Sequence, residues 1–194
     1  MRAPSCTSLA IARPGRGTST LARTHQTAAA ILAAAVEGRH HAAEPLAIPA
    51  LAEQHLGEWQ GMKRKPFYAE RKVGTHTLWF GPADERPPGG ESFVDLVARV
   101  RPVIERLNKE HRGRDIVAVT HGGTIKVAVA MALGLDPQAA LSFLVENCSI
   151  TKLDYLQPEG AQGFWRVASV NHRPWPRAAT ALDAVGNPLR VDKV

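Results

Sequence analysis

Residues 115–123 read Asp-Ile-Val-Ala-Val-Thr-His-Gly-Gly, and this run constrains the fold more than any other in the 194-residue chain. Ile116 to Val119 are apolar and rich in β-branching, which suits a parallel strand covered on both faces. Thr124 reads as the cap of a helix that runs through Leu133, with Gly134 placed to stop it. In an open α/β sheet a ligand sits beyond the carboxyl ends of the strands, and His121 occupies that location. Gly122 and Gly123 let the backbone come close to a ligand, and the helix start after them favours an anion. A tight strand-to-helix turn with an incidental histidine accounts for the same residues.

Two further segments carry chemistry. Thr18, Ser19 and Thr20 can end a strand, and residues 24–36 read as a helix with Ala28, Ile31, Leu32, Ala35 and Val36 on or near one face. Arg23 stands at the mouth of that helix, where an arginine can hold a phosphate through two parallel hydrogen bonds. A solvated surface arginine is the competing reading. Residues 51–62 read Leu-Ala-Glu-Gln-His-Leu-Gly-Glu-Trp-Gln-Gly-Met, a compact irregular loop rather than a repeating element. A carboxyl group packed in such a loop, here Glu53, can stay protonated near neutral pH and act as a general acid. A surface acid at a loop edge is the alternative.

Taken in order, these segments resemble the histidine phosphatase superfamily, the phosphoglycerate-mutase-like enzymes. The likeness runs from about Thr18 to about Pro176. It includes Leu21-Ala22-Arg23 with Gln26-Thr27-Ala28, then Glu53 with Gly57-Glu58-Trp59-Gln60-Gly61. It continues through Pro88-Gly89-Gly90-Glu91-Ser92, His121-Gly122-Gly123 and Asn147-Cys148-Ser149-Ile150-Thr151. The resemblance implies an α/β domain, a three-layer sandwich with a mostly parallel sheet flanked by helices. It also implies phosphomonoester hydrolysis through phosphohistidine, without metal or organic cofactor. In the family a histidine on the first strand attacks phosphorus, and two arginines and a second histidine surround the phosphate oxygens. On that pattern Arg23 binds phosphate, His121 and Gly122 lie against it, and Glu53 protonates the leaving oxygen. Fixed positive donors would then stabilise the charge that spreads over the transferring oxygens.

The chain departs from the family at its start. The expected Arg-His-Gly triplet, which supplies the nucleophile and a second phosphate arginine, is absent. The first histidine, His25, falls inside the helix after Arg23, so the nucleophile is assigned to no residue. Pro4, Pro14, Gly15 and Gly17 leave little room for regular structure before Thr18. A strand, crossover helix and second parallel strand need roughly 30 residues, so the first βα unit is expected to be missing or incomplete. Three explanations compete: a truncated or frame-shifted reading in which residues 1–17 are foreign, a phosphate-binding pseudoenzyme, or a substitute nucleophile such as Cys6. The first is preferred, and activity is expected to be weak or absent.

Length suits one α/β domain, divided here into an irregular segment 1–17, a phosphatase-like domain 18–176 and a loose tail 177–194. With 44% apolar residues the chain can bury a sizeable core. Cys6 and Cys148 suggest neither a disulfide framework nor a metal cluster, and a reducing cytoplasm fits them. Scattered histidines give no ligand set, so no metal is expected. The longest apolar run, residues 28–36, is too short to span a membrane. A net charge of +6 permits nucleic-acid binding, but the positive residues are dispersed and no nucleic-acid motif accompanies them. The expected partner is a small phosphorylated substrate or inorganic phosphate. The densest basic cluster, Lys63-Arg64-Lys65 with Arg71-Lys72, reads either as a lid attracting anions or as a solvated loop. The short connection from Glu53 to Glu91 favours a phosphatase over a mutase.

The remaining segments are scaffold. Ser92 is expected to cap a helix carrying Phe93, Leu96, Val97, Val100, Val103, Ile104 and Leu107 at helical spacing. Pro102 should kink that helix or break it, since an interior proline costs about 3 kcal/mol. Residues 149–155 and 164–170 read as two strands joined by a turn.

Overall fold

A computed structural model describes residues 7–9, 14–37, 45–71 and 79–173. Strand β1 covers Thr7–Leu9, β2 Pro14–Thr18, β3 Leu46–Ala47, β4 Asp115–Thr120, β5 Ile150–Leu156 and β6 Phe164–His172. Helix α1 covers Ala22–Glu37, α2 Arg64–Glu70, α3 Phe93–Glu110, α4 Gly122–Leu133 and α5 Pro137–Ala140. The strands form one sheet in the order β3-β2-β4-β1-β5-β6. Three of its pairings are parallel (β2 with β3, β2 with β4, β1 with β5) and two antiparallel, so the sheet is mostly parallel.

Alternation along β4 separates the layers. Ala118 faces the core built by α3 and α4, while its neighbour Val119 packs against Ala28 of α1. Successive side chains in a strand point to opposite faces, so helices cover the sheet on both sides. On α3, Phe93, Leu96, Val100 and Leu107 are buried, and Val97, Val103 and Ile104 pack beside them, as their helical spacing predicts. Ser92 caps α3 in a reciprocal box with Asp95, each satisfying a backbone N–H of the other. Pro102 lies within α3 without ending it. Its ring removes one N–H donor, and the buried stripe on both sides of it holds the element together.

Three expectations need correction. The stretch before Thr18 contains β1 and β2, despite its prolines and glycines. Proline and glycine weaken a strand, but pairing of β2 with both β3 and β4 overrides that preference. Helix α4 is capped by His121 rather than Thr124 and starts at Gly122, because the chain leaves β4 directly into the first turn. Thr124 is buried, and its hydroxyl donates to the Ala52 carbonyl at 3.1 Å. On α1, Ile31 is exposed, while Ala28 makes the contact with the sheet. Gly134 does stop α4, with φ at 64° in the left-handed region. Cys6 and residues 177–194 lie outside the described residues.

Candidate active site

The parallel register of β2 and β4 sets Thr18 opposite Val119, so both strands finish at one edge of the sheet. The chain turns there into α1 on one side and α4 on the other. That geometry brings Arg23, in the first turn of α1, onto His121, the residue between β4 and α4. Arg23 donates from Nε to His121 Nδ1 at 3.2 Å, and a terminal guanidinium nitrogen donates to the same atom at 3.0 Å. The other ring nitrogen, Nε2, lies 2.8 Å from the Ser19 hydroxyl. His121 is 2% exposed. Burial first, then the charges of Arg23 and Arg99, push its pKa down to about 4, so the ring is neutral near pH 7.

Glu53 arrives from the loop after a turn of 3₁₀ helix at Pro49–Leu51. Its carboxylate accepts from the Gly123 N–H at 3.2 Å and from the Gln54 N–H at 3.0 Å. A Cβ on Gly123 would collide with that carboxylate, so glycine is what lets the start of α4 reach it. Burial raises the Glu53 pKa above the ordinary carboxylate value. The two backbone donors, Arg23 and Lys126 oppose that rise without cancelling it.

Arg99 holds this loop from behind. It donates to the carbonyls of Ala50 at 2.8 Å and Ala52 at 3.2 Å, and pairs with Glu91 at 2.5 Å. Glu91 in turn accepts from the His55 N–H at 2.9 Å. The loops carrying Gly57 and Gly90 cross so closely that a Cβ on either would strike backbone of the other. This crossing accounts for Gly57 and Gly90.

Arg23, Glu53, His121 and Gly122 all line one cleft of about 280 Å3. Gln54 and Asn147 add polar groups to its wall, and Leu56, Trp79, Phe80 and Val145 add an apolar side. Trp79 is held by its indole N–H to Gln54 Oε1 at 2.8 Å, with the buried Lys126 ammonium 4.6 Å from its ring centre. Lys126 also donates to the Leu141 carbonyl at 2.7 Å, and burial lowers its pKa to about 8. Ser19, Gln54, Trp79, Arg99 and Lys126 escaped the sequence reading. The one visible signal was Lys126, a lysine set inside the apolar run of α4.

The remaining sequence candidates lie elsewhere. His25 is exposed on α1. Arg71 of the basic cluster turns inward, paired with Glu85 and stacked 4.6 Å from the Trp59 ring, which corrects the reading of that residue as part of an anion-attracting lid. The register of β1 is also informative. It runs antiparallel to β4, with Thr7 opposite Thr120 and Leu9 opposite Ala118. Its residues are Thr7, Ser8 and Leu9, so this strand brings no histidine to the sheet edge. Among the described residues no three His, Cys, Asp or Glu side chains cluster as metal ligands, and no helix is long and apolar enough to cross a membrane.

A strand-end histidine, a helix-mouth arginine and a protonatable carboxyl on one cleft form a site suited to an oxyanion. The family model of the histidine phosphatase superfamily (branch 1) matches residues 7–171, and the chain belongs to that family. A glucosyl-3-phosphoglycerate phosphatase of Mycobacterium tuberculosis is 37% identical over 93 residues, 44% of this chain and 41% of that protein. A metal-independent phosphoserine phosphatase of Arabidopsis thaliana is 35% identical over 85 residues, 43% of this chain and 35% of that protein. The chain thus spans well under two thirds of these relatives. The solved structure of mycobacterial glucosyl-3-phosphoglycerate phosphatase is similar at a TM-score of 0.65 and 28% identity, covering 80% of this chain and 76% of that one.

Proposed function

We propose that the cleft binds the phosphoryl group of a small phosphomonoester, and that its chemistry is that of a phosphatase. One observation carries this reading: Arg23, Glu53 and His121, far apart in sequence, share a single cleft of about 280 Å3. Arg23 supplies a pair of N–H donors, now turned to His121 Nδ1, that can swing to phosphate oxygens. His121 stands beside it as the second phosphate-facing group, with the Gly122 backbone completing that wall. Glu53, whose pKa burial raises above the ordinary carboxylate value, is the group placed to protonate the leaving oxygen. No metal or organic cofactor enters this scheme. The phosphatase names of the relatives above support it, as does the short link between Glu53 and Glu91.

The attacking histidine of the family has no counterpart in Thr7, Ser8 and Leu9 of β1. We therefore propose weak or absent turnover for this sequence. That same observation favours the second reading, a phosphate-ligand-binding protein without catalysis. A mutase is the third reading, supported by the probable phosphoglycerate mutase GpmB of Photorhabdus laumondii, 27% identical over 90% of this chain. The reducing cytoplasm remains the compartment we propose. Thermal shift with phosphate and orthovanadate, alongside release of phosphate from an aryl phosphate, separates the readings. Stabilisation without turnover fits a binding protein, turnover fits a phosphatase, and neither refutes the phosphate site.

A further inference from the structure

Ser19 is fully buried, at 0% exposure, and its hydroxyl meets His121 Nε2 at 2.8 Å. Counting protons assigns the direction of that bond. Arginine has donors only, and two of them converge on His121 Nδ1 at 3.2 and 3.0 Å. Nδ1 therefore presents its lone pair. The single proton of a neutral imidazole must then sit on Nε2, where the Ser19 oxygen accepts it. Burial, which lowers the ring pKa to about 4, agrees with a neutral ring.

Ser19 is itself held by four other bonds, one of them from the Thr18 hydroxyl to its carbonyl at 3.1 Å. Its hydroxyl oxygen also accepts from the Leu21 N–H at 3.2 Å. Its backbone N–H donates to the Val119 carbonyl at 3.1 Å, and its carbonyl accepts from the Thr24 hydroxyl at 3.0 Å. The oxygen that meets His121 is thus fixed to β4 and to the first turn of α1, the turn that carries Arg23.

We propose that Ser19 is a positioning residue: its hydroxyl oxygen holds the Nε2 proton of His121, fixing the ring tautomer and keeping Nδ1 as the nitrogen turned toward Arg23 and the cleft. The consequence for ligand binding rests on the phosphate-site reading above. An oxyanion that draws Arg23 away leaves the Nδ1 lone pair open. Nδ1 then takes one proton from solution and donates a hydrogen bond to the anion, while the Nε2–H stays on the ring and keeps its hydrogen bond to Ser19. One proton is taken up for each anion bound.

Long-range proton–nitrogen correlation spectra of the uniformly nitrogen-15-labelled full chain test this near pH 7, with His121 assigned by its loss in His121→Gln. The expected wild-type result is a single Nε2–H tautomer for His121 without ligand. An Nδ1–H tautomer there overturns the proposal, whether or not any variant folds. In Ser19→Ala the His121 signals should move toward a mixture of tautomers, and orthovanadate should bind at least severalfold more weakly. An unchanged tautomer in a folded Ser19→Ala also overturns the proposal. Failure of the wild type to bind orthovanadate would instead sink the phosphate-site reading and leave the tautomer result standing on its own.

Discussion

Arg23 and His121 are separated by 98 positions in the chain, yet two guanidinium nitrogens of one meet a single ring nitrogen of the other. The contact closes the sheet edge between α1 and α4. It also places the only cationic side chain on the described cleft wall next to its only histidine.

Arg23→Ala should weaken stabilisation by phosphate or orthovanadate while the chain stays folded. A charge-assisted hydrogen bond contributes about 1.5–3 kcal/mol, so affinity should fall by roughly one to two orders of magnitude. Arg23→Lys should recover only part of it, because an ammonium cannot present two parallel donors. Ligand-dependent melting curves read both outcomes. An undiminished shift in Arg23→Ala would remove Arg23 from the site.

Glu53→Gln should leave the fold intact. Its amide can still accept through oxygen from the N–H groups of Gly123 and Gln54, which now serve the carboxylate. The folded carboxyl has a raised pKa, so its contribution to stability is present at low pH and lost as pH rises through the folded value. The variant should therefore gain on the wild type as melts move from pH 5 to pH 8. Any aryl-phosphate hydrolysis by the wild type should drop by about 10²–10⁴-fold in the variant.

His121 has a folded pKa of about 4 against an ordinary 6.5. The unfolded chain binds the extra proton between those values, so stability from this group is full above pH 6.5 and lost as pH falls toward 4. The loss should reach about 3 kcal/mol across that window. Urea unfolding of His121→Gln should show a flatter acid limb than the wild type. Parallel profiles would mean that the ring is not held neutral.

Gly123→Ala and Gly122→Ala form a matched pair. A methyl group on Gly123 collides with the Glu53 carboxylate, whereas one on Gly122 meets nothing within 4 Å. Gly122→Ala should be neutral or slightly stabilising, since alanine favours a helix by up to about 1 kcal/mol. Gly123→Ala should lower stability by about 1–3 kcal/mol, a cost typical of overpacking, and should displace Glu53. Equal melting temperatures for the two would show that α4 does not approach Glu53 closely.

Much of the scaffold was legible because local patterns coincide with burial. The apolar stripe of α3, its Ser92 cap, the β-branched run of β4 and the Gly134 stop all appear where residue spacing places them. The start of the chain misled. Its prolines and glycines argue against strands locally, while the edges of β3, β4 and β5 offer hydrogen bonds that only pairing across the sheet reveals.

Along the sequence, Arg23, Glu53 and His121 were nominated through the order and spacing of motifs that resemble the histidine phosphatase superfamily, since each local pattern by itself left a plain alternative open. Tertiary structure decided which atoms face which. Ser19 reaches His121 Nε2 across 102 positions, and Arg99 braces the Glu53 loop from α3. Such contacts depend on strand register and on the close crossing of loops, which carry no local sequence period. The same is true of the acidity of Glu53 and His121: a side chain's type sets its ordinary pKa, and only the packed surroundings, by removing water and adding charges, can move it.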